Sequence, residues 1–228
     1  MIALIDYGAG NVRSVAKALQ AVGADVVVTP TPDVVLEADK VVLPGVGAFA
    51  DCMESLTRLR MIESIRQVVA SGTPFLGICV GMQVLFEYGE ELGGHEGLGL
   101  LPGSVVRFNV DVSLKVPHTG WNLIEPTVST SLLQALPERA WAYFNHGYVC
   151  RAAAEDTLAT TDYGGPFASV VGRGALYGTQ FHPEKSQAIG LHILRNFVQR
   201  VAAEAPKALA VSTQLRRPLG ARSDEEET

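Results

Sequence analysis

Cysteine is scarce in this sequence. The three residues Cys52, Cys79 and Cys150 are too few and too odd in number for a disulfide framework. That points to a reducing, cytoplasmic setting in which a single thiol can be kept for chemistry. A basic excess is missing too: 18 Lys and Arg stand against 24 Asp and Glu, a formal net charge of −6. The chain therefore has no electrostatic footprint for nucleic acid or an anionic membrane. Nor does it have an apolar run long enough to span a bilayer. Its longest apolar region, residues 68–86, is interrupted by Ser71-Gly72-Thr73-Pro74, and the opening Met1-Ile-Ala-Leu-Ile-Asp6 lacks the basic region of a secretory signal. No internal repeat is found. What the chain does have is 228 residues, 47% of them hydrophobic and 18% charged, which suits a proper core and excludes a largely disordered chain.

The first half alternates short β-branched runs with helical patterns. Ile2-Ala-Leu-Ile5, Val26-Val-Val28, Lys40-Val-Val-Leu43 and Pro74-Phe-Leu-Gly-Ile78 read as buried strands. Asn11 is placed to cap a helix carrying Val12, Val15, Leu19 and Val22, which Gly23 ends. The amphipathic stretch 51–70 predicts one long helix through Met53, Leu56, Leu59, Ile62, Ile65 and Val69, and a further helical pattern runs from Cys79 to Tyr88. In the second half, residues 104–108, 123–125, 140–149 and 157–161 look like strands with short connections. Segments 168–171 and 175–181 read as a hairpin about Gly172-Arg-Gly174, and 187–203 as a last helix. The expectation is an α/β fold: a mostly parallel central sheet with helices on both faces, plus antiparallel additions in the C-terminal half. One domain is expected over 1–204. A flexible tail is expected over 205–228, where large apolar residues are few and charge is segregated.

Two glycine-framed turns and a histidine carry the chemistry. Gly77-Ile-Cys79-Val-Gly81 puts a thiol where a strand ends and a helix begins, with glycines two positions to either side. This is a nucleophile elbow in its cysteine form: the turn leaves no room for flanking Cβ atoms and exposes the sulfur at the carboxyl edge of the sheet. Amides and the dipole at the helix start favour the thiolate. The plainer reading, a small structural cysteine in a β-to-α turn, is weakened by those glycines. Gln180-Phe-His182-Pro-Glu184 supplies a base. In an extended stretch His182 and Glu184 share a face, so the acid can hold the imidazole. Leu43-Pro-Gly-Val-Gly47-Ala-Phe49 ends another strand, and its backbone with the amide of Val80 suits an oxyanion hole.

Rival readings are weaker. Zinc bound by His182 and Glu184 would have to recruit Cys150 or His146 at no recognised spacing, so no metal is expected. Gly45-Val-Gly47-Ala-Phe-Ala50 fits the dinucleotide fingerprint, but it follows the third strand and no acidic strand end follows it to hold a ribose. The residues describe cysteine acyl transfer at a sheet edge, without a cofactor. A free cysteine hydrolase and a catalytically silent subunit are the alternatives.

On these residues the chain resembles the class I, triad-type glutamine amidotransferases. The resemblance rests on Gly77-Ile-Cys-Val-Gly-Met-Gln83 and Gln180-Phe-His-Pro-Glu-Lys-Ser186 and extends over residues 1–200. More narrowly the chain is similar to the branch that forms the glutaminase subunits of imidazole glycerol phosphate synthase, in histidine biosynthesis. That likeness lies in Asp6-Tyr-Gly-Ala-Gly-Asn11, the 43–49 turn, Val116-Pro-His-Thr-Gly-Trp-Asn122 and Tyr143-Phe-Asn-His-Gly-Tyr148. It implies Cys79 as nucleophile, His182 as general acid and base, and Glu184 as its orienter. It implies Val46 and Val80 as oxyanion amides and Gly47, Gln83 and Glu91 as glutamine-binding. Backbone around His146, Gly147 and Tyr148 would close over the α-amino acid end of glutamine. Asn11, Trp121 and Lys185 would face a partner, a separate (β/α)₈ cyclase subunit that forms a heterodimer with the glutaminase and receives ammonia through a tunnel. The family's glutaminase is allosterically coupled to ligand binding by that partner. Three positions depart from the family pattern: Thr119 replaces Met, Asn145 replaces Val, and Gly147 replaces Ser or Thr.

Overall fold

The computed structural model describes residues 1–111 and 114–203. The boundary expected at 204 and the tail over 205–228 lie outside the described residues. Four short apolar runs become β1 (Ile2–Ile5), β2 (Val26–Thr29), β3 (Lys40–Leu43) and β4 (Phe75–Ile78). They pair in parallel in the order β2-β1-β3-β4, and β13 (Leu176–Thr179) joins in parallel beside β4. Beyond β13 the sheet turns antiparallel through β12 (Pro166–Arg173), β11 (Thr157–Asp162), β8 (His118–Pro126) and β9 (Ala140–His146). Leu4, Ile5, Val41, Val42, Phe75 and Leu76 are fully buried, as continuous apolar runs require when a parallel sheet is covered on both faces. Each such side chain contributes about 1.5–3 kcal/mol on burial. At the edge, β2 leaves Val27 and Val28 exposed.

Helix α1 (Val12–Ala21) packs with α6 (Gln187–Gln199), and α2 (Pro32–Leu36) with α4 (Met61–Ala70). A second sheet holds β10 (Tyr148–Ala152), β7 (Leu101–Arg107), β5 (Phe86–Gly89) and β6 (His95–Glu96), in that order. Among the described residues no helix is long and apolar enough to cross a membrane.

The structure departs from the sequence expectations in five places. The single helix over 51–70 is two, α3 (Phe49–Arg58) and α4, broken at Arg60 with φ 55°. The buried stripe of Phe49, Cys52 and Leu56 does not continue in phase to Met61, Ile65 and Val68, so one straight helix could not bury both. The helix expected from Cys79 to Tyr88 is one turn, α5 (Val80–Gln83), followed by β5; burial on all sides from 80 to 86 hides the difference. The strand over 140–149 splits at Gly147 into β9 and β10, which belong to different sheets. Helix α2 was not anticipated, although Pro32 stands at its start. Finally, Asn11 makes no side-chain cap to α1. Its side-chain amide is turned to Glu184 instead.

Candidate active site

Parallel pairing of β4 with β13, in register at Ile78 and Thr179, brings two distant segments of the chain together at the carboxyl edge of the sheet. Cys79 follows β4 and Gln180 follows β13, and the Cys79 amide donates to the Thr179 carbonyl at 2.7 Å. Cys79 sits at φ 56°, ψ −110°, a strained conformation for a residue with a Cβ. The surrounding glycines permit it. A Cβ on Gly77 would stand 2.3 Å from the Gly81 carbonyl oxygen, and one on Gly45 2.3 Å from the Gly81 amide nitrogen. The elbow therefore packs directly on the 43–49 turn, backbone to backbone. Since α5 is a single turn, the dipole behind Cys79 is short, and the local amides matter more than the helix expected from the sequence.

His182 is buried and hydrogen-bonded to Cys79 on one side. On the other its Nδ1 donates to Glu184 Oε1 at 3.0 Å. The pair does not meet along an extended strand, as the sequence suggested: residues Pro183–Lys185 form a 3₁₀ turn that folds the carboxylate back to the ring. The ring is fixed by its backbone, whose amide donates to the Tyr143 carbonyl at 3.0 Å and whose carbonyl accepts from Ser186 Oγ at 2.7 Å. Burial alone disfavours the imidazolium, but the hydrogen bonds and charges of Cys79 and Glu184 outweigh it and push His182 up to about 9. Asn11 Nδ2 donates to the same Glu184 oxygen at 3.3 Å, which is where its missing cap went.

Cys79 and His182 open into a cavity of about 160 Å³. Val46, Gly47, Val80, Gln83, Glu91, His146, Gly147 and Tyr148 all line it. Glu91 also accepts the Phe49 amide at 2.8 Å, which anchors the start of α3. Lys185, expected on the partner side, lines this cavity as well, while Asn11 lines an open groove of about 660 Å³ outside the strand ends. Trp121 lies on β8, partly exposed, with its ring edge-on to Tyr143 at 6.1 Å. Thus the structure gathers the expected substrate residues in one cavity, and leaves Asn11 and Trp121 off it.

Sequence reasoning missed the network that braces the site. Gln180 Nε2 lies 3.8 Å from Cys79 Sγ, and Gln83 Nε2 donates to Gln180 Oε1 and to the Tyr148 carbonyl. No spacing in the sequence announces Gln180, because it lies in a bend just past β13 and reaches the sulfur only through the β4–β13 register. His146 Nδ1 donates to the Tyr148 carbonyl at 2.8 Å and its Nε2 meets His118 Nδ1 at 3.0 Å. Burial pushes His118 down to about 4 and His146 to about 3, so both rings are neutral. Two of the departures also touch each other: Thr119 Oγ1 donates to Asn145 Oδ1 at 3.0 Å across the β8–β9 pair. Burial raises the other two thiols, Cys52 to about 12 and Cys150 well above the ordinary range. Among the described residues no group of three or more His, Cys, Asp or Glu could hold a metal ion.

A strained cysteine, a histidine held by a carboxylate and glycine turns at parallel strand ends form an arrangement suited to acyl transfer through a thiol, at the edge of an α/β sheet. The model of the family Glutamine amidotransferase class-I matches residues 3–201, and the chain belongs to that family. Within it the chain falls among the imidazole glycerol phosphate synthase subunits HisH. It is 51% identical to that subunit of Syntrophotalea carbinolica, over 86% of this chain and 98% of the relative. The Salinibacter ruber subunit is 50% identical, over 86% and 93%. Among solved structures, a glutamine amidotransferase matches with TM-score 0.68 at 19% identity, over 86% of this chain and 99% of that one. PurLQS from Thermotoga maritima matches with TM-score 0.66 at 19% identity, over 87% and 95%. These two show the shared fold.

Proposed function

We propose that this chain is the glutaminase subunit of imidazole glycerol phosphate synthase, hydrolysing glutamine to glutamate and passing the ammonia to a separate cyclase subunit. The observation that carries the reading is the thiol of Cys79 at a strained elbow, hydrogen-bonded to a His182 that Glu184 holds, and open to one cavity with the expected substrate residues. With His182 pushed up to about 9 by its hydrogen bonds to Cys79 and Glu184, the ring is placed to take the proton of the thiol and hold it beside the sulfur. The sulfur attacks the side-chain carbonyl of glutamine. Amides of the 46–47 turn and of Val80 take the developing oxyanion. His182 gives its proton to the departing ammonia, and the neutral ring then takes a proton from the water that hydrolyses the γ-glutamyl thioester. Glu91 suits the α-ammonium of glutamine. Gln83, both of whose amide hydrogens are committed, turns its Oε1 to the substrate.

Ammonia released into water is protonated and loses its nucleophilicity, so the reading requires delivery within a complex. The groove beside Asn11 is the surface we assign to the cyclase. A protein seated there touches the triad through a single hydrogen bond, from Asn11 to Glu184. The test uses the complex with the cognate cyclase. Cys79→Ala should abolish synthesis of imidazole glycerol phosphate from glutamine and leave synthesis from added ammonia intact. Equal loss of both activities would contradict the assignment.

A further inference from the structure

Gln180 is completely buried and lies against the nucleophile, and the direction of its hydrogen bonds is dictated by the main chain. The Tyr148 carbonyl can only accept, so Gln83 must turn its NH₂ toward it, at 3.2 Å. That same NH₂ faces Gln180 at 3.1 Å, which obliges Gln180 to present its oxygen to Gln83 and its own NH₂ to the sulfur. A flipped Gln180 would set two NH₂ groups against each other and an oxygen lone pair against Cys79. The carbonyl that anchors this order is itself fixed by His146 Nδ1. The neutral His146 ring then accepts at Nε2 from His118 Nδ1, and His118 Nε2 is left facing Asn122 Nδ2 at 3.5 Å. The bonds run in one sense from β8 to the carbonyl, and in one sense from Gln83 to the sulfur.

We propose that Gln180 is a further catalytic residue, a hydrogen-bond donor to the Cys79 sulfur held in orientation by Gln83 and the Tyr148 carbonyl. It stabilises the thiolate before attack. It does so again at deacylation, when the C–S bond of the tetrahedral adduct breaks and its electron pair returns to sulfur. The role rests on Cys79 being the nucleophile. The ionisable groups that share the cavity with the sulfur are His182, His146, Tyr148, Glu91 and Lys185, and Tyr7 and Cys150 act on it from the core. Burial pushes Tyr7 and Cys150 up and His146 down to about 3, so these three stay neutral, and none of these groups is altered in the Gln180 variant.

The experiment follows the rate at which iodoacetamide alkylates Cys79, read on its own peptide by mass spectrometry, from acid to alkaline pH. In full-length Gln180→Met the profile should move to higher pH by about one unit, with a roughly tenfold slower reaction below the midpoint. A role confined to packing would lower the melting temperature and leave that profile in place. An unchanged profile in a folded variant overturns the proposal. A second measurement needs no change at Gln180: its side-chain amide signals in ¹H–¹⁵N spectra should move when Cys79→Ala removes the acceptor. Signals that stay put overturn the proposal too. The two readings are separable. Labelling of wild-type Cys79 by an electrophilic glutamine analogue, with an unmoved Gln180→Met profile, refutes Gln180 alone; failure of that labelling refutes the nucleophile.

Discussion

Replacing Gly81 by Ala tests whether the elbow is set by backbone contact. A Cβ there would stand 2.0 Å from the Leu43 carbonyl oxygen and 3.0 Å from its carbon, where ordinary contact begins near 3.4 Å. Both partners are backbone, so neither can rotate away, and the end of β3 and the start of α5 must separate by more than an ångström. Overpacking of this kind costs about 3 kcal/mol, the upper part of its usual range. In a chain of this size that lowers Tm by about 6–12 °C. Because Cys79 is two residues away, the same displacement moves the sulfur relative to His182, and a misplacement of about 1 Å costs roughly a hundredfold in rate. Gly47→Ala is the control. It meets nothing within 4 Å, but its φ of +90° leaves a backbone penalty. That penalty is about 1 kcal/mol. Thermal unfolding of both variants, with glutamate release in the cyclase complex, decides the matter. A Gly81→Ala protein that melts with or above Gly47→Ala would refute the argument.

Three further outcomes are expected. His182 has a folded pKa near 9, above its unfolded 6.5, so the stability it supplies is complete below pH 6.5 and is lost as pH rises through about 9. Denaturant unfolding of wild type should show that loss, and His182→Gln should not. His118 and His146 behave in the opposite sense: neutral when folded and protonated when unfolded, they make the fold lose stability as pH falls from 6.5 toward about 4 for His118 and about 3 for His146, and His118→Asn should make that acid limb shallower in the same assay. Arg173 makes a two-point contact with the buried Asp156, its nitrogens 2.8 and 2.6 Å from the two oxygens. Because the arginine itself is half-exposed, Arg173→Ala should cost about 2 kcal/mol, less than a fully buried pair, read as a lowered denaturation midpoint.

The parallel half was legible in the sequence because its strands are buried on both faces and so stand out as unbroken apolar runs. The elbow was legible because three glycines are needed where backbones touch. The breaks were harder. Arg60 carries no glycine or proline to announce a positive φ, and only the phase of the buried stripe betrays it. The run from Val80 to Phe86 is buried on every side and so has no period to read. Gly147 looks like one residue within a strand, yet it passes the chain from one sheet to the other. At the site, Cys79, His182 and Glu184 were found from their types and framing, although Glu184 reaches the ring through a turn and not an extended strand. Gln180 went unassigned, and Asn11 was read as a helix cap and a partner-facing residue without its bond to Glu184, because both contacts depend on tertiary register. Only the β4–β13 pairing places Gln180 on the sulfur, and only the fold brings Asn11 to Glu184.

The most direct test of the central claim is glutamate release from glutamine, with the cognate cyclase and its bound ligand present or absent and Cys79→Ala alongside. The account predicts release by the complex that depends on Cys79, together with modification of Cys79 by an electrophilic glutamine analogue that spares the buried Cys52 and Cys150. A folded chain that binds the cyclase yet neither releases glutamate nor takes the label would contradict it.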